Sequence, residues 1–258
     1  MSLTIALIVI LFSTLMAAFA SIAVHRKVHL DVRRRHSEVG TAVFLQLGVI
    51  FAVLLAFVFS EVWSQYNAAA SAIEFECGSL EDAATLMSAM PADQARPLLA
   101  AEAAYVASVV KDEWPEMFAN RAPNNGADRK LTSLIQNVVR LRPTSPADLG
   151  TRQQLLIYLE QAHSQRTMRI FQLASGIPIF LWALLIGLGA ILAAFVTMAG
   201  VESGRALASF SMTFAATVAA ILVLIHLLDY PFEGALAMQP DHFVTTLQKI
   251  TALEHSLQ

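Results

Sequence analysis

Residues 41–60 read TAVFLQLGVIFAVLLAFVFS, and residues 61–91 continue EVWSQYNAAASAIEFECGSLEDAATLMSAMP. The first of these stretches carries no charge and one strongly polar side chain, Gln46. A helix needs about 20 such residues to cross the hydrocarbon core of a bilayer. In the second stretch Tyr66, Ala69, Ile73, Cys77, Leu80, Ala84 and Met87 recur at steps of three and four, the near-heptad stripe of a helix with one buried face. Neither Gly nor Pro separates the run from the start of the stripe. The spacing therefore predicts one helix that leaves the membrane and continues to about Met90, where Pro91 closes it, with Gly78 inside as a weak point.

Three more apolar runs flank this one. Leu3–Val24 is uncharged, as is Ala206–Leu228 apart from the titratable His226. Ile170–Val201 is longer than one bilayer thickness requires and is interrupted by Gly176 and Pro178, so its helix is expected to start outside the membrane and enter near Pro178. The pattern is that of an all-α, polytopic membrane protein with four transmembrane helices. A first hairpin occupies 1–60, with spans at about 3–24 and 41–60 and a basic cytoplasmic loop at 25–39. A helical extramembrane domain follows over 61–169. A second hairpin covers 170–229, with spans at about 176–199 and 206–228, and 230–258 form a C-terminal tail. Composition agrees: of 258 residues 56% are apolar and 14% charged, against about 45–50% and 25% in soluble domains.

Within 61–169 the breakers mark out helices. One pattern runs from Ala92 through Leu98, Leu99, Tyr105 and Val106 and ends at Trp114-Pro115. Asn120–Ala127 (NRAPNNGA) reads as a loop, and Leu131, Leu134, Ile135 and Val138 mark a short helix that Pro143-Thr144-Ser145-Pro146 breaks. Ser145 or Asp148 can cap a last helix, carrying Leu155, Leu156, Leu159 and Ala162, which reaches the third span without another breaker.

Charge sets the expected topology. Ala18-Phe19-Ala20 has the look of a cleavage site, but a secretory signal needs a basic leader and Met1–Thr4 has none, so the first span is expected to be retained. Arg26, Lys27, Arg33, Arg34 and Arg35 crowd the loop His25–Val39, and short loops rich in Lys and Arg stay in the cytoplasm. That orientation places 61–169 outside the inner (plasma) membrane of a bacterium, although Arg166 and Arg169 beside the third span argue mildly the other way. The run Arg33-Arg34-Arg35 could also hold anionic headgroups, but orientation is a sufficient reason for it.

Other function classes find little support. Seventeen Lys+Arg against twenty Asp+Glu leave a net charge of −3, which predicts no nucleic-acid partner. The single Cys77 allows no intrachain disulfide, and no zinc-type spacing exists. There is no Gly-rich phosphate loop, His-Glu-x-x-His or Gly-x-Ser-x-Gly, so neither an enzyme nor a cofactor is expected. Asp112, Glu113 and Glu116 could gather a divalent cation but read more simply as a solvated helix end.

One order of residues is familiar. Trp63-Ser64-Gln65-Tyr66-Asn67 is followed by Glu74 and Glu76, then by Glu113-Trp114-Pro115, the second pair of spans, and Leu228-Asp229-Tyr230-Pro231-Phe232-Glu233-Gly234. This resembles the bacterial bestrophin-like domain family of four-span membrane proteins, over nearly the whole chain. Tyr230 stands where relatives tend to place Arg, which weakens any local Asp–Arg pair. The resemblance implies kinship with bestrophins, pentameric anion channels with an axial pore and a hydrophobic constriction. It thus implies a homo-oligomer in the lipid bilayer with a small inorganic anion as permeant partner. Strict bestrophin topology would put the helical domain in the cytoplasm; the local charge asymmetry is given more weight here. The alternative function is a non-transporting membrane sensor or assembly module.

Candidate sites follow from these readings. Phe44 and Phe51, seven residues apart on the second span, could form stacked constrictions that gate by dewetting. Gln46 between them more often bridges helices than selects ions. His226 and Asp229 share a face at the end of the fourth span and suit either an ion-sensitive mouth or a helix end that is simply wet. Gly187, Gly189, Ala193, Ala216 and Ala220 are expected to pack helix on helix, with small-x-x-x-small spacing in Gly189/Ala193 and Ala216/Ala220.

Overall fold

Helix α1 (Leu3–Lys27) starts at Ser2, whose hydroxyl accepts from the Ile5 N–H, and ends on His25, Arg26 and Lys27. Cations suit the negative end of a helix dipole. The computed structural model describes residues 1–35, 37–119, 123–143 and 145–257, and among these there is no strand. A short α2 (Leu30–Arg35) leads to α3 (Ser37–Ser88), a single helix of 52 residues. Gly78 does not interrupt it, and the chain turns at Pro91 into α4 (Ala92–Ser108).

Trp114-Pro115 does not end that helix as expected. Val109–Glu113 widen into a π-helical turn and α5 (Trp114–Phe118) follows, with Pro115 in its first turn. A proline lacks the N–H and crowds the carbonyl four residues back, and the wider turn accommodates both. In the expected loop, Asn120, Arg121 and Ala122 lie outside the described residues, while α6 (Gly126–Arg140) already begins at Gly126. Thr144 likewise lies outside. Ser145 then caps α7 (Pro146–Ala174) reciprocally: its hydroxyl accepts from the Asp148 N–H, and Asp148 accepts from the Ser145 N–H.

The third span is not the prolongation of α7. That helix stops at Ala174, and α8 (Ile179–Thr197) starts afresh after Pro178. Proline disfavours helical backbone at the residue before it, so Ile177 cannot carry the helix through. Ser203 caps α9 (Gly204–Leu228), and a 3₁₀ turn at Gly234–Leu236 precedes α10 (Asp241–Ser256). Gly234 takes φ 77°, a left-handed conformation that glycine adopts without strain. The helices α1, α3, α8 and α9 are long and apolar enough to cross a membrane.

The chain divides into two units, Met1–Ser64 with Gly176–Asp229 and Gln65–Ser175 with Tyr230–Gln258. In the first, α9 packs along α1 and against α8. A Cβ on Gly204 would sit 2.9 Å from the His25 ring, so a larger residue there would have to displace that ring. In the second, Ala69, Ile73, Cys77, Leu80, Ala84 and Met87 of α3 are buried with leucines of α4, α6 and α7. Residues 230–258, expected as a tail, belong to this core. Phe232, Phe243 and Ile250 are buried in it, and Glu81 accepts from Thr246 at 2.9 Å and Lys249 at 2.7 Å.

Candidate functional site

In its membrane-crossing part α3 has two unlike faces. Phe51 is 6% exposed and Val58 3%. A Cβ added to Gly189 of α8 would lie 3.8 Å from the Phe51 ring. Phe44 is half-buried and meets Phe214 of α9, ring centroids 6.1 Å apart. Both expected gate residues thus pack within the chain, Phe51 beside the recess that a glycine leaves in α8. At 100° per residue the face opposite Phe51 and Val58 carries Ala42, Gln46, Val49, Val53, Ala56 and Ser60, all exposed. Gln46 therefore lies on the uncovered side.

Of the small residues in the second hairpin, Gly189 sits at a close helix contact. Gly189 is buried, and its missing Cβ would stand 3.2 Å from Val218, so small size is used at that point. Ala193 and Ala216 are half-buried; Ala219 is buried, whereas Ala220 is exposed and a Cβ on Gly187 would meet open space. At the other end of these spans Asp229 is buried and its Oδ1 accepts from the Ile177 N–H at 3.0 Å. His226 sets its ring edge-on to Trp182, centroids 5.7 Å apart. Asp229 and His226 both fasten the end of α9 to the start of α8, in the gap where Pro178 interrupts the backbone hydrogen bonding.

The basic loop also makes fixed contacts within the membrane unit. Arg33 is 3% exposed and donates through Nη1 to the Ala199 carbonyl at 2.9 Å, a carbonyl just past the end of α8. Its Nη2 lies 3.2 Å from His25 Nδ1. Arg34 pairs with Glu202 at the surface, while Arg26, Lys27 and Arg35 are exposed.

The helical unit holds a buried ionic cluster that the sequence reading missed. Arg169 of α7, fully buried, donates through Nε to Glu76 at 2.9 Å, and through Nη2 to Glu113 at 2.7 Å. Its Nη1 reaches the Met117 sulfur at 3.0 Å, and the guanidinium stacks 5.6 Å from the Trp114 ring centroid and 5.1 Å from that of Phe243. Arg166 pairs with Glu113 at 2.6 Å and Asp128 at 2.9 Å, and the Tyr105 hydroxyl donates to Glu76 at 2.5 Å. Burial works against the Arg169 charge, but the two carboxylates outweigh it and hold the guanidinium above its ordinary value. Burial, then Glu76, push the Tyr105 phenol up.

Two expectations are corrected by this cluster. Glu113 is no part of a solvated helix end: it is 2% exposed and bridges two arginines. Asp112 accepts from Ser108 and Glu116 from Asn124, and no group able to hold a metal ion exists among the described residues. Nor do Arg166 and Arg169 speak to topology, because their charge is neutralised inside the unit. The available signal was Glu76 beside Cys77 on the apolar stripe of α3, since a charge on a buried face demands a partner.

The family profile for the bestrophin-like domain matches residues 10–243. The chain belongs to the bestrophin-like family. Two crystal structures of a bacterial bestrophin homologue from Klebsiella pneumoniae share its fold. One was phased with zinc, with 14% identity and a TM-score of 0.75. The other is a mutant form, with 15% identity and the same TM-score of 0.75. In both cases 95% of this chain and 98% of the other is covered. A crystal structure of a mutant membrane protein is equally similar, at 14% identity, a TM-score of 0.77 and the same coverage. No curated protein matches in sequence. In this bestrophin-like chain the motifs quoted above acquire roles. Trp114 donates to the Met238 carbonyl at 3.2 Å and meets Phe232 edge-on at 5.7 Å, so the Trp-Pro pair and the Pro-Phe end of the second motif pack on each other.

Proposed function

We propose that this chain is one subunit of an oligomeric anion channel of the bestrophin type in the bacterial plasma membrane, with α3 lining the path. The observation that supports it is Gln46, exposed on the face of α3 turned away from its own chain. An amide left facing hydrocarbon costs about 4–8 kcal/mol relative to water. A face that carries one favours a wet bore or another copy of the helix over lipid. Val49 and Val53, one turn apart on the same face, then supply a narrow apolar ring from each subunit, which excludes water from a thin bore. Phe51 supports that ring from behind. The reading makes the chain a channel subunit and not an enzyme.

Native mass spectrometry should find a closed oligomer, and liposomes containing it should pass chloride. Val53→Ser wets the constriction and should raise the flux, whereas Phe51→Ala should lower the melting temperature and leave the open-path flux near the parent's. Flux altered by Phe51→Ala but not by Val53→Ser would mean that α3 presents its other face to the path. A second reading, a sensor or assembly module without transport, draws on the absence of any charged residue in 41–60. An intact oligomer that passes no chloride, as parent or as Val53→Ser, would favour it.

A further inference from the structure

We propose that the membrane unit holds one anionic phospholipid in a cavity walled by Arg33, independently of whether the chain conducts. The cavity measures about 580 Å³, within the roughly 300–1,000 Å³ of small-molecule sites. It lies where α3 and α9 begin and α8 ends, with Ser37, Thr41 and Phe44 on one side, Ile191 and Phe195 on another, and Phe210 on the third. Helix ends of membrane spans meet the bilayer at the headgroup level, so the cavity opens the chain where lipid phosphates lie.

Arg33 makes it a site for an anion. A guanidinium carries five N–H donors in a planar fork. In Arg33, buried to 3% exposure, Nη1 is taken by Ala199 and Nη2 faces His25, while Nε has no partner among the described residues. A buried donor without an acceptor is costly, and a phosphate oxygen is the acceptor that matches the fork. Ser37 and Thr41 add hydroxyls on the same wall. The rest of the lining is apolar, which suits the upper part of an acyl chain and not a free hydrated anion.

The test is lipid retention by the detergent-purified protein, read by native mass spectrometry with phosphatidylglycerol or phosphatidylcholine of matched chains. Both headgroups carry the phosphate, but phosphatidylcholine adds a quaternary ammonium that Arg33 and the neighbouring Arg34 and Arg35 repel, so the parent should favour phosphatidylglycerol by about tenfold. Arg33→Gln should abolish the preference. Gly40→Leu provides a variant that leaves the arginine in place: Gly40 lines the cavity, and a Cβ there meets nothing within 4 Å, so the added side chain starts in open space at the cavity wall. It should also abolish the preference, whereas Gly48→Leu, where a Cβ likewise meets nothing within 4 Å but which lies outside the cavity lining, should keep it. Equal retention of both lipids, or a preference that survives Gly40→Leu, would overturn the proposal. So would a Gly40→Leu protein that changes its subunit number with its lipid preference intact, since the cavity would then be a contact between copies.

Discussion

Replacing Arg169 by Met removes the one cation shared by Glu76 and Glu113. The two carboxylates do not suffer equally. Glu113 keeps Arg166 at 2.6 Å, but among the described residues Glu76 retains only the Tyr105 hydroxyl. One fully buried carboxylate is therefore left without a cation, a change that costs about 3–5 kcal/mol. Arg169 and Glu76 are both 0% exposed, so solvent and salt screen none of this. At about 2–4 °C per kcal/mol for a chain of this size, the melting temperature should fall by about 6–20 °C. Thermal unfolding of the purified protein in one detergent, followed by circular dichroism, measures it. A double variant, Glu76→Gln with Arg169→Met, separates charge from packing: with the stranded carboxylate neutralised, more than half of the loss should return. A fall of less than about 2 °C, or a double variant no more stable than Arg169→Met, would refute the account of the cluster.

Two further outcomes follow from other buried groups. Glu102 of α4 is 0% exposed, neither carboxylate oxygen has a partner among the described residues, and burial raises its carboxyl well above the ordinary 4.5. Below about pH 4.5 both folded and unfolded chains hold the proton; above it the unfolded chain ionises first, so rising pH erodes stability. Glu102→Gln should thus melt higher than the parent near pH 7, with the gain closing towards pH 4.5, and an equal or lower melting temperature at neutral pH counts against this. Orientation needs a different probe from Cys77, which is buried with its thiol pushed up to about 12 and should resist an impermeant maleimide. In a Cys77→Ala background the exposed Glu74→Cys should label in intact spheroplasts and Lys27→Cys only after lysis, as the basic loop requires; the reverse pattern would invert the topology.

How far the sequence reached depended on where each cause resides. Pro91 and the Ser145–Asp148 cap act on their own neighbours along the chain, and each was legible. Trp114-Pro115 misled because a proline can be absorbed by a π turn as well as by a helix end. Phe51 marks another limit: a seven-residue spacing says that two rings share a helix face, but not what lies against it, and within the chain Gly189 stands beside the Phe51 ring. Residues 230–258 were read as a tail, yet Phe243 and Ile250 of α10 complete a core assembled by distant segments.

Hydrophobic length, basic-loop charge and breaker positions are properties of contiguous residues. Of these, hydrophobic length and breaker positions by themselves determined four helices long and apolar enough to cross a membrane, and the all-α class. Ion pairing and face assignment are relations between segments far apart in the chain. Glu76 and Arg169 lie 93 positions apart, and Arg33 and Ala199 lie 166. Only the tertiary structure decided that these charges are buried and paired, because burial removes the water that would otherwise solvate each one separately.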